Sequence, residues 1–382
     1  MEYQLEDQKL VLFFEGEINS VTASNVEVDV FKTIGNQQFK QLILDFNKVS
    51  YISSAGLRII LKLKQTYVNT SIVGATLEVY DVLQMTGFTK IMEVHKAINN
   101  VDVKGCEVIG EGYSGIVYRI NKDTIIKVFK NEHDITKVER ELNLAKQAFV
   151  LGVPTAISFD IVMVDGQYGV RFEMLDSMSL RDIFRDQLMD YDILLDKYVK
   201  LLKTINTTES MDDSLPDFKV RMQNRLEAIK PCIGDEAYAK AKKLLDSVED
   251  RKTFIHGDCH VKNIMLQGDE LFLIDMDTLS RGNPIFELSA LYCPYIAFEE
   301  DDPGNNERFL GLKSEFTRKL YYDIVSRYTS AKDAIDKISI IAYIHMIWWN
   351  RHNEPENNVR FEGCKGRLLK LLEKYDDLNI GV

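Results

Sequence analysis

The residue types needed for phosphoryl transfer occur together in a short segment late in the chain. Residues 256–263 read HGDCHVKN, and the β-rich hairpin after them ends in Asp275 and Asp277. An Asp can accept the proton of an attacking hydroxyl, while an Asn five residues later and an Asp on the next hairpin can hold Mg²⁺ against nucleotide phosphates. This spacing predicts Asp258 as the catalytic base and Asn263 with Asp275 as catalytic magnesium ligands.

Neighbouring residues are assigned supporting roles. Strand alternation points Asp277 to the same side as Asp275, so we expect it to support the metal or the substrate. His256 is expected to order the loop through hydrogen bonds. A metal hydrolase that uses His256, Asp258 and His260 is the alternative for this segment. Such enzymes need further histidines in matching context, and the remaining histidines lack it.

A nucleotide clamp is predicted from a glycine-rich string, GEGYSGIV, at residues 110–117. Dinucleotide-binding folds carry similar strings, but in those folds a helix follows the glycines directly. Here two β-rich runs, 116–120 and 124–129, flank a tight turn, so we expect the glycines in a hairpin that closes over phosphates. The predicted nucleotide-binding residues of this string are Gly110, Gly112, Gly115 and Val117.

The strand after the hairpin carries Lys127, which can supply a positive charge to the α- and β-phosphates during catalysis. A carboxylate must hold this lysine in place. The predicted helix 138–150 offers Glu141, which we favour, and Glu139 as the alternative.

A hinge between two lobes is predicted at the run FEMLD, residues 172–176, between a strand and the start of a helix at Ser179. Adenine would hydrogen-bond to backbone groups there. We expect the Glu173 carbonyl and the Leu175 N–H to make those contacts.

The first 98 residues alternate strand and helix signals, which implies a largely parallel sheet with helices packed against it. Asp81 is expected to cap a short helix. The predicted strands are 10–14, 42–46 and 75–80, and the predicted helices are 22–34 and 55–66.

The stretch LDFNKVSYISSAGL at 44–57, together with TGFTKI at 86–91, resembles the STAS domain of anti-sigma-factor antagonists. The resemblance covers residues 1–98 and implies a protein partner. In that family a Ser at the start of a helix is phosphorylated, and the matching candidate phosphoacceptor is Ser54. The family usually has Asp before that position, whereas this chain has Ser53. The physical alternative is that these serines cap the helix N-terminus, a role compatible with phosphorylation.

Residues 105–382 resemble the aminoglycoside phosphotransferase and choline kinase-like superfamily, through HGDxHxxN at 256–263, IDxD at 274–277 and GNPIFEL at 282–288. The resemblance implies a bilobal protein kinase-like fold that uses ATP and Mg²⁺. Within that superfamily the chain is similar to bacterial kinases whose substrates are unassigned. The implied subdivisions are an N-lobe at about 105–172, a hinge at 173–176 and a C-lobe at 177–382.

Composition narrows the classes of partner and the cellular location that we expect. The formal net charge of −12 argues against nucleic acid and anionic membranes and mildly favours cationic small molecules. Five scattered cysteines and a polar start without a signal peptide indicate reduced thiols and a cytoplasmic location. The most apolar late stretch, 338–349, is too short to span a bilayer.

The sequence therefore predicts a two-domain α+β protein in which a small α/β STAS-like domain precedes an ATP-dependent kinase acting on the hydroxyl of a small molecule. Gly257 and His260 stand where protein kinases carry Arg and Lys, which favours a small-molecule acceptor. A protein serine kinase acting on Ser54, in cis or on a partner STAS protein, is one alternative. A nucleotide-sensing scaffold is another, although the intact set of site residues counts against it.

Two features could bind a cationic acceptor. The acidic run 299–302 could attract a polyamine-like substrate, and Trp348 and Trp349, near Tyr343, could form an aromatic cage for a quaternary ammonium. A solvated loop and ordinary core packing are the simpler interpretations of these features.

Overall fold

The computed structural model describes residues 1–35, 37–112, 115–130, 135–210 and 215–382. Tyr113 and Ser114, in the middle of the glycine string, lie outside the described residues. Contacts between Cα atoms divide the chain into two compact units, Met1–Asp102 and Val103–Val382.

In the described part of the N-terminal unit, five strands form one sheet in the order β1-β2-β3-β4-β5. The first pair is antiparallel and the later pairs are parallel. Alternate residues of β2, Leu10, Leu12 and Phe14, are buried because successive side chains of a strand point to opposite faces. The strands are β1 (Glu2–Glu6), β2 (Lys9–Ile18), β3 (Gln41–Ile52), β4 (Thr70–Ala75) and β5 (Val94–Lys96), with β6 (Asn99–Asn100) following them.

Three α-helices and a short 3-10 turn connect these strands in the described residues: α1 (Ala23–Ile34), α2 (Ser54–Thr66), α3 (Leu77–Met85) and Phe88–Lys90. The predicted strand at 75–80 is wrong, because β4 ends at Ala75 and α3 begins at Leu77. Thr76 caps α3 by accepting the Val79 N–H at 3.4 Å, so Asp81 lies inside the helix and does not cap it.

The C-terminal unit begins with antiparallel strands that lie side by side in the order β10-β11-β9-β8-β7. The helix α4 (Ile135–Val150) packs against β10 and β11. The strands of this sheet are β7 (Glu107–Glu111), β8 (Gly115–Arg119), β9 (Thr124–Phe129), β10 (Ser158–Val164) and β11 (Gln167–Glu173). The glycines therefore occupy a hairpin, as the sequence predicts.

The rest of this unit is mainly helical. Its helices are α5 (Leu180–Arg185), α6 (Tyr191–Thr207), α7 (Phe218–Ile233), α8 (Asp235–Asp246), α9 (Pro284–Tyr292), a π-helical turn at Cys293–Ala297, α10 (Phe298–Asp301), α11 (Asn305–Leu310), α12 (Ser314–Tyr328), α13 (Ala334–Asn353) and α14 (Asn358–Leu372). Its short strands are β12 (Met178–Ser179), β13 (Phe254–Ile255), β14 (Ile264–Gln267), β15 (Glu270–Leu273) and β16 (Ser280–Arg281).

Apolar side chains of these helices and strands form one core that includes the fully buried Tyr198, Phe254 and Tyr321. The run 338–349 belongs to α13, whose apolar residues are largely in this core. Within the described residues, no helix is both long enough and apolar enough to cross a membrane.

Candidate active site

Two buried side chains order the loop that precedes β14. His256 is fully buried; its Nδ1 accepts the Asp258 N–H at 3.2 Å, and its Nε2 lies 3.2 Å from the Ile274 carbonyl oxygen. Glu287, on α9, accepts the N–H groups of His256 and Gly257 at 2.6 and 3.1 Å. Burial lowers the pKa of His256 to about 4, so this histidine is neutral and orders the loop through hydrogen bonds.

Asp258 and Asn263 are held against each other. Asn263 Nδ2 donates to Asp258 Oδ2 and to the Asp258 carbonyl oxygen, both at 2.9 Å. The Asp258 side chain keeps 43% of its surface exposed, so a small hydroxyl can reach it. Burial against the protein on its other sides, and then the charge of Asp275, raises the pKa of Asp258 to about 7. A carboxylate with a pKa near neutrality is suited to general-base catalysis.

Lys127 joins two carboxylates. Its Nζ lies 2.9 Å from Glu141 Oε1 on α4 and 2.7 Å from Asp275 Oδ1. Burial disfavours the charge of Lys127, but Asp275 and Glu141 together raise its pKa above the ordinary value. Burial also raises the pKa of Glu141, against the effect of Lys127. Both shifts favour the protonated form, which is the charged form of Lys127 but the neutral form of Glu141. The 2.9 Å contact between the two side chains indicates that the pair is ionised.

Asp275 and Asp277 follow β15, beside Asn263. The Ile274 N–H donates to the Asn263 carbonyl oxygen at 3.0 Å, and Asp275 then adopts a left-handed backbone with φ of 67°. Asp is among the residues that tolerate this conformation, which is frequent at functional sites. Burial, followed by the charge of Asp275, raises the pKa of Asp277 to about 7.

The predicted metal ligands fit magnesium by chemistry. Asn263, Asp275 and Asp277 offer amide and carboxylate oxygens, which are the donors that Mg²⁺ prefers. The described residues contain no group of three or more His, Cys, Asp or Glu side chains arranged to hold a metal ion alone. Mg²⁺ in nucleotide sites is usually held by one or two carboxylates together with substrate phosphates and water.

The glycine hairpin lies beside Lys127. Gly110 pairs with Val117 across β7 and β8, and Val117 pairs with Lys127 across β8 and β9. The Gly112 N–H donates to the Gly115 carbonyl oxygen at 2.9 Å. A Cβ on Gly115 would lie 2.4 Å from the Val128 carbonyl oxygen, so only glycine fits there. The structure thus brings the described residues of the glycine string next to the lysine.

The predicted hinge follows β11. The Glu173 side chain is used internally, because its Oε1 accepts the Ile157 N–H at 2.7 Å. The Met174 N–H donates to the Asp123 carbonyl oxygen at 2.9 Å. The Leu175 N–H, by contrast, forms no hydrogen bond within the described residues. It remains our predicted donor to adenine, with the Glu173 carbonyl as the predicted acceptor.

The acidic run 299–302 is neutralised by arginines of the same unit. Glu300 lies 3.1 Å from Arg367, and Asp301 also pairs with Arg367. Asp302 lies 2.6 Å from Arg308. The expectation of a cation-attracting loop is therefore wrong, and so is that of a simply solvated loop.

The two tryptophans are covered by groups of the protein itself. The Arg225 guanidinium lies 4.5 Å from the centre of a Trp348 ring, and Trp349 packs edge-on against Phe298 at 4.8 Å between ring centroids. Tyr343 donates to Glu300 at 2.9 Å instead of facing a ligand. An aromatic cage for a quaternary ammonium is therefore absent from these described side chains.

Three basic residues of the C-terminal unit occupy no defined position of the motifs in the sequence. Lys262 lies in the loop that precedes β14, with its Nζ 4.7 Å from the centre of the Phe309 ring. Arg221 and Arg225 lie four residues apart on α7, where two like charges share one helix face and repel each other. That repeated charge was the available signal, but its position in the fold depends on contacts distant in sequence.

Ser53 and Ser54 differ in their surroundings. Ser53 caps α2, since its Oγ accepts the Ala55 N–H at 3.2 Å. Ser54 is the first residue of the helix and is exposed. The capping interpretation therefore applies to Ser53, and Ser54 stays accessible as the candidate phosphoacceptor.

Comparison with known proteins identifies both units. Residues 105–318, more than half of the chain, match the phosphotransferase enzyme family (APH), and residues 1–102 match the STAS domain. The chain therefore belongs to the phosphotransferase enzyme family, with a kinase-like phosphotransferase fold behind an N-terminal STAS domain.

Individual relatives resemble one unit or the other. A candidate anti-sigma factor antagonist of Bordetella bronchiseptica, BtrV, is 28% identical over 92 residues, covering 23% of this chain and 78% of BtrV. A choline/ethanolamine kinase family protein from Mesorhizobium loti is 12% identical with a TM-score of 0.48, covering 70% of this chain and 88% of that one. The ADP-bound aminoglycoside phosphotransferase APH(2'')-Ib is 13% identical with a TM-score of 0.46, covering 76% and 98%.

Proposed function

We propose that this protein is an ATP-dependent phosphotransferase that moves the γ-phosphoryl group to a hydroxyl of a small molecule. The observation that carries the proposal is the single cluster in which Lys127 bridges Glu141 and Asp275 while Asn263 holds Asp258 beside them. Membership of the phosphotransferase family supports the same reaction class.

Each residue of the cluster has a role in this proposal. Asp258 accepts the proton of the attacking hydroxyl, and Asn263 orients its carboxylate. Lys127, fixed by Glu141, holds the α- and β-phosphates. Asn263, Asp275 and Asp277 would hold Mg²⁺, which neutralises the negative charge of the phosphates.

The nucleotide would lie between the glycine hairpin and the hinge. Backbone N–H groups near Gly110, Gly112 and Gly115 would face the phosphates, because glycines allow close approach. Adenine would hydrogen-bond to the backbone at Glu173 and Leu175.

The domain assignment completes the proposal. Residues 105–382 would form the cytoplasmic transferase, divided into lobes on either side of 173–176, and residues 1–98 would regulate it or dock a protein partner. BtrV supports such a docking role by the name that it bears.

The test is ADP release from Mg-ATP across a panel of alcohols, amino alcohols, sugars and aminoglycosides. We expect stimulation by at least one acceptor class, and Asp258→Asn should lower it by about 100-fold or more while retaining nucleotide binding. The matched control is Asp269→Asn on the β14–β15 turn, where the side chain is 89% exposed. Stimulated turnover that survives in Asp258→Asn would contradict the proposal.

A protein serine kinase is the second candidate, and the exposure of Ser54 at the first position of α2 favours it. After incubation with Mg-ATP, the intact protein should then gain the mass of one phosphate. The gain should disappear in Ser54→Ala and persist in Ser53→Ala. A gain that persists in Ser54→Ala would reject Ser54 as the acceptor.

A further inference from the structure

Arg221 is linked by hydrogen bonds to the loop that carries Asp258. Its Nη2 donates to Ser280 Oγ at 2.7 Å, and Ser280 Oγ donates to the Thr278 carbonyl oxygen at 2.7 Å. Thr278 Oγ1 in turn donates to the His256 carbonyl oxygen at 2.5 Å. These hydrogen bonds fix the Arg221 guanidinium beside the segment 278–280, which directly follows Asp277.

Arg225 lies one helical turn further along α7. Its guanidinium is 4.5 Å from the Trp348 ring centre, and its Nη1 contacts Met222 Sδ at 3.6 Å. Arg221 likewise lies over an aromatic ring, 5.0 Å from the centre of Phe218. Aromatic faces attract guanidinium groups, but they leave the N–H donors at the edge of the group free for an anion.

Neither arginine forms an ion pair with a carboxylate in the part of the chain that the structure describes. Other arginines of the same unit do: Arg360 pairs with Glu354 and Asp302, and Arg367 pairs with Glu300 and Asp301. A partly buried guanidinium without a carboxylate is costly, so the contrast requires an explanation.

Each of the two arginines has another arginine as a charged neighbour. Burial, and then the charge of Arg221, lowers the pKa of Arg225 to about 10. Burial and then the charge of Arg140 lower the pKa of Arg221, with Asp277 opposing them. His345 adds a side chain whose buried Nδ1 has no hydrogen-bond partner within the described residues.

We propose that the phosphoryl acceptor carries a carboxylate or phosphate group, which Arg221 and Arg225 bind while the acceptor hydroxyl reaches Asp258. The inference rests on the proposed function and assigns its substrate class. The planar fork of a guanidinium matches the paired oxygens of both anions. Cationic acceptors such as choline would meet two arginines here and bind poorly.

Matched acceptors test the class. Glycerol, glycerate and glycerol phosphate share hydroxyls and differ in charge, and choline serves as the cationic member. We expect kcat/KM for ADP release to be about tenfold or more higher with an anionic acceptor than with glycerol. A preference for choline or glycerol over both anions would overturn the inference.

Variants test the residues. Arg221→Gln and Arg225→Gln should each raise KM for the anionic acceptor by about tenfold or more, with KM for ATP changed by less than about twofold. Arg225→Lys keeps the positive charge but lacks the forked N–H donors of the guanidinium, and it replaces Arg225→Gln in this test if that variant folds poorly. Lys230→Gln, on the same helix but paired with Asp235, is the matched control. Unchanged acceptor KM in both arginine variants would mean that they act only in packing.

A binding measurement separates this inference from the proposed function. Trp348 and Trp349 are the two tryptophans of the chain, and Trp348 contacts Arg225. Inorganic phosphate should change the tryptophan emission saturably in the wild type and in Asp258→Asn, but not in Arg225→Gln or Trp348→Phe. If phosphate changes the tryptophan emission but no acceptor gives turnover that depends on Asp258, the transferase function is rejected and the anion site is retained. An emission that phosphate leaves unchanged would reject the anion site.

Discussion

Lys127 Nζ lies 2.7 Å from Asp275 Oδ1, although 148 residues separate the two in sequence. The lysine belongs to β9 in the sheet, and the aspartate follows β15 in the helical part of the unit. The same ammonium contacts Glu141, so one side chain couples the sheet, α4 and the proposed metal site. We therefore expect Lys127 to contribute both to nucleotide binding and to the alignment of the two lobes.

Replacing Lys127 with Met should impair both activity and stability. We expect acceptor-stimulated ADP release to fall by about 100-fold or more, because the charge that holds the phosphates is lost. The buried Glu141 would also lose its partner, which should cost about 3 kcal/mol of unfolding free energy. Kinetics and chemical denaturation measure the two effects. Lys122→Met is the control, since that lysine is 90% exposed; equal effects in both variants would contradict the argument.

Gly115 and Gly112 form a matched pair of glycines. A methyl group on Gly115 would collide with the Val128 carbonyl oxygen at 2.4 Å, whereas a methyl group on Gly112 has nothing within 4 Å among the described atoms. Gly115→Ala should therefore separate β8 from β9 and destabilise the protein by about 2 kcal/mol. Gly112→Ala should leave the melting temperature nearly unchanged. Similar melting temperatures for the two variants would show that the hairpin can move aside.

The sequence predicted local elements well where the chemistry is local. The β9 strand has its predicted bounds, because a run rich in β-branched residues follows a turn signal in NKD. The segment 75–80 is predicted as a strand. It folds as a helix start because the Thr76 cap and the four-residue spacing of the buried Val79 and Leu83 suit a helix against the sheet.

Long-range contacts explain what the sequence could not predict in the site. The order of glycines, lysine, base and metal ligands was sufficient to nominate the cluster around Lys127, and the Lys127–Glu141 contact matches the favoured carboxylate. The surroundings of Arg225 and Trp348 follow from the packing of α7 on α13, elements far apart in the chain. The sequence therefore suggested that Trp348 could help to bind a cationic ligand. In the structure, the Arg225 guanidinium of the protein itself lies over the Trp348 ring.

Asp275→Asn should raise the magnesium concentration that nucleotide binding requires. A neutral amide binds Mg²⁺ less strongly than a carboxylate, and it also removes one of the two charges that hold Lys127. We expect the Mg²⁺ concentration at half-maximal ATP binding to rise by about tenfold or more. Calorimetric ATP titrations at several Mg²⁺ concentrations measure this, with the exposed Asp269→Asn as control. Identical magnesium dependence in wild type and Asp275→Asn would remove Asp275 from the metal site.

Ser53 and Ser54 should separate a structural from a regulatory role. Ser53→Ala removes the oxygen that accepts the Ala55 N–H and should destabilise the start of α2 by about 1 kcal/mol. Ser54→Ala should have little effect, because the exposed Ser54 side chain does not cap the helix. Hydrogen exchange of the α2 amides in the full-length protein measures the difference. Faster exchange in Ser54→Ala than in Ser53→Ala would reverse the assignment of the cap.

Glu287 should give the protein a pH-dependent stability. Its carboxyl is fully buried, and burial raises its pKa from 4.5 to about 7, although the N–H groups of His256 and Gly257 oppose the shift. The folded state therefore holds a proton that the unfolded state releases between these values, so this stabilising contribution is present below pH 4.5 and is lost as the pH rises through 7. From pH 5.5 to 8 the wild type should lose about 2 kcal/mol relative to Glu287→Gln, which cannot titrate.

Denaturant unfolding of both proteins at the two pH values measures that difference. The contribution of His256 to the pH dependence cancels in the comparison, because both proteins contain this histidine. Glu362→Gln, at an exposed position of α14, is the control and should follow the wild type. The Gln amide also brings an N–H₂ group towards two backbone donors that Glu287 satisfies with two oxygens, so ADP release should fall even where stability is equal. A wild-type stability that rises relative to Glu287→Gln between pH 5.5 and 8 would mean that the backbone donors outweigh burial and keep Glu287 ionised.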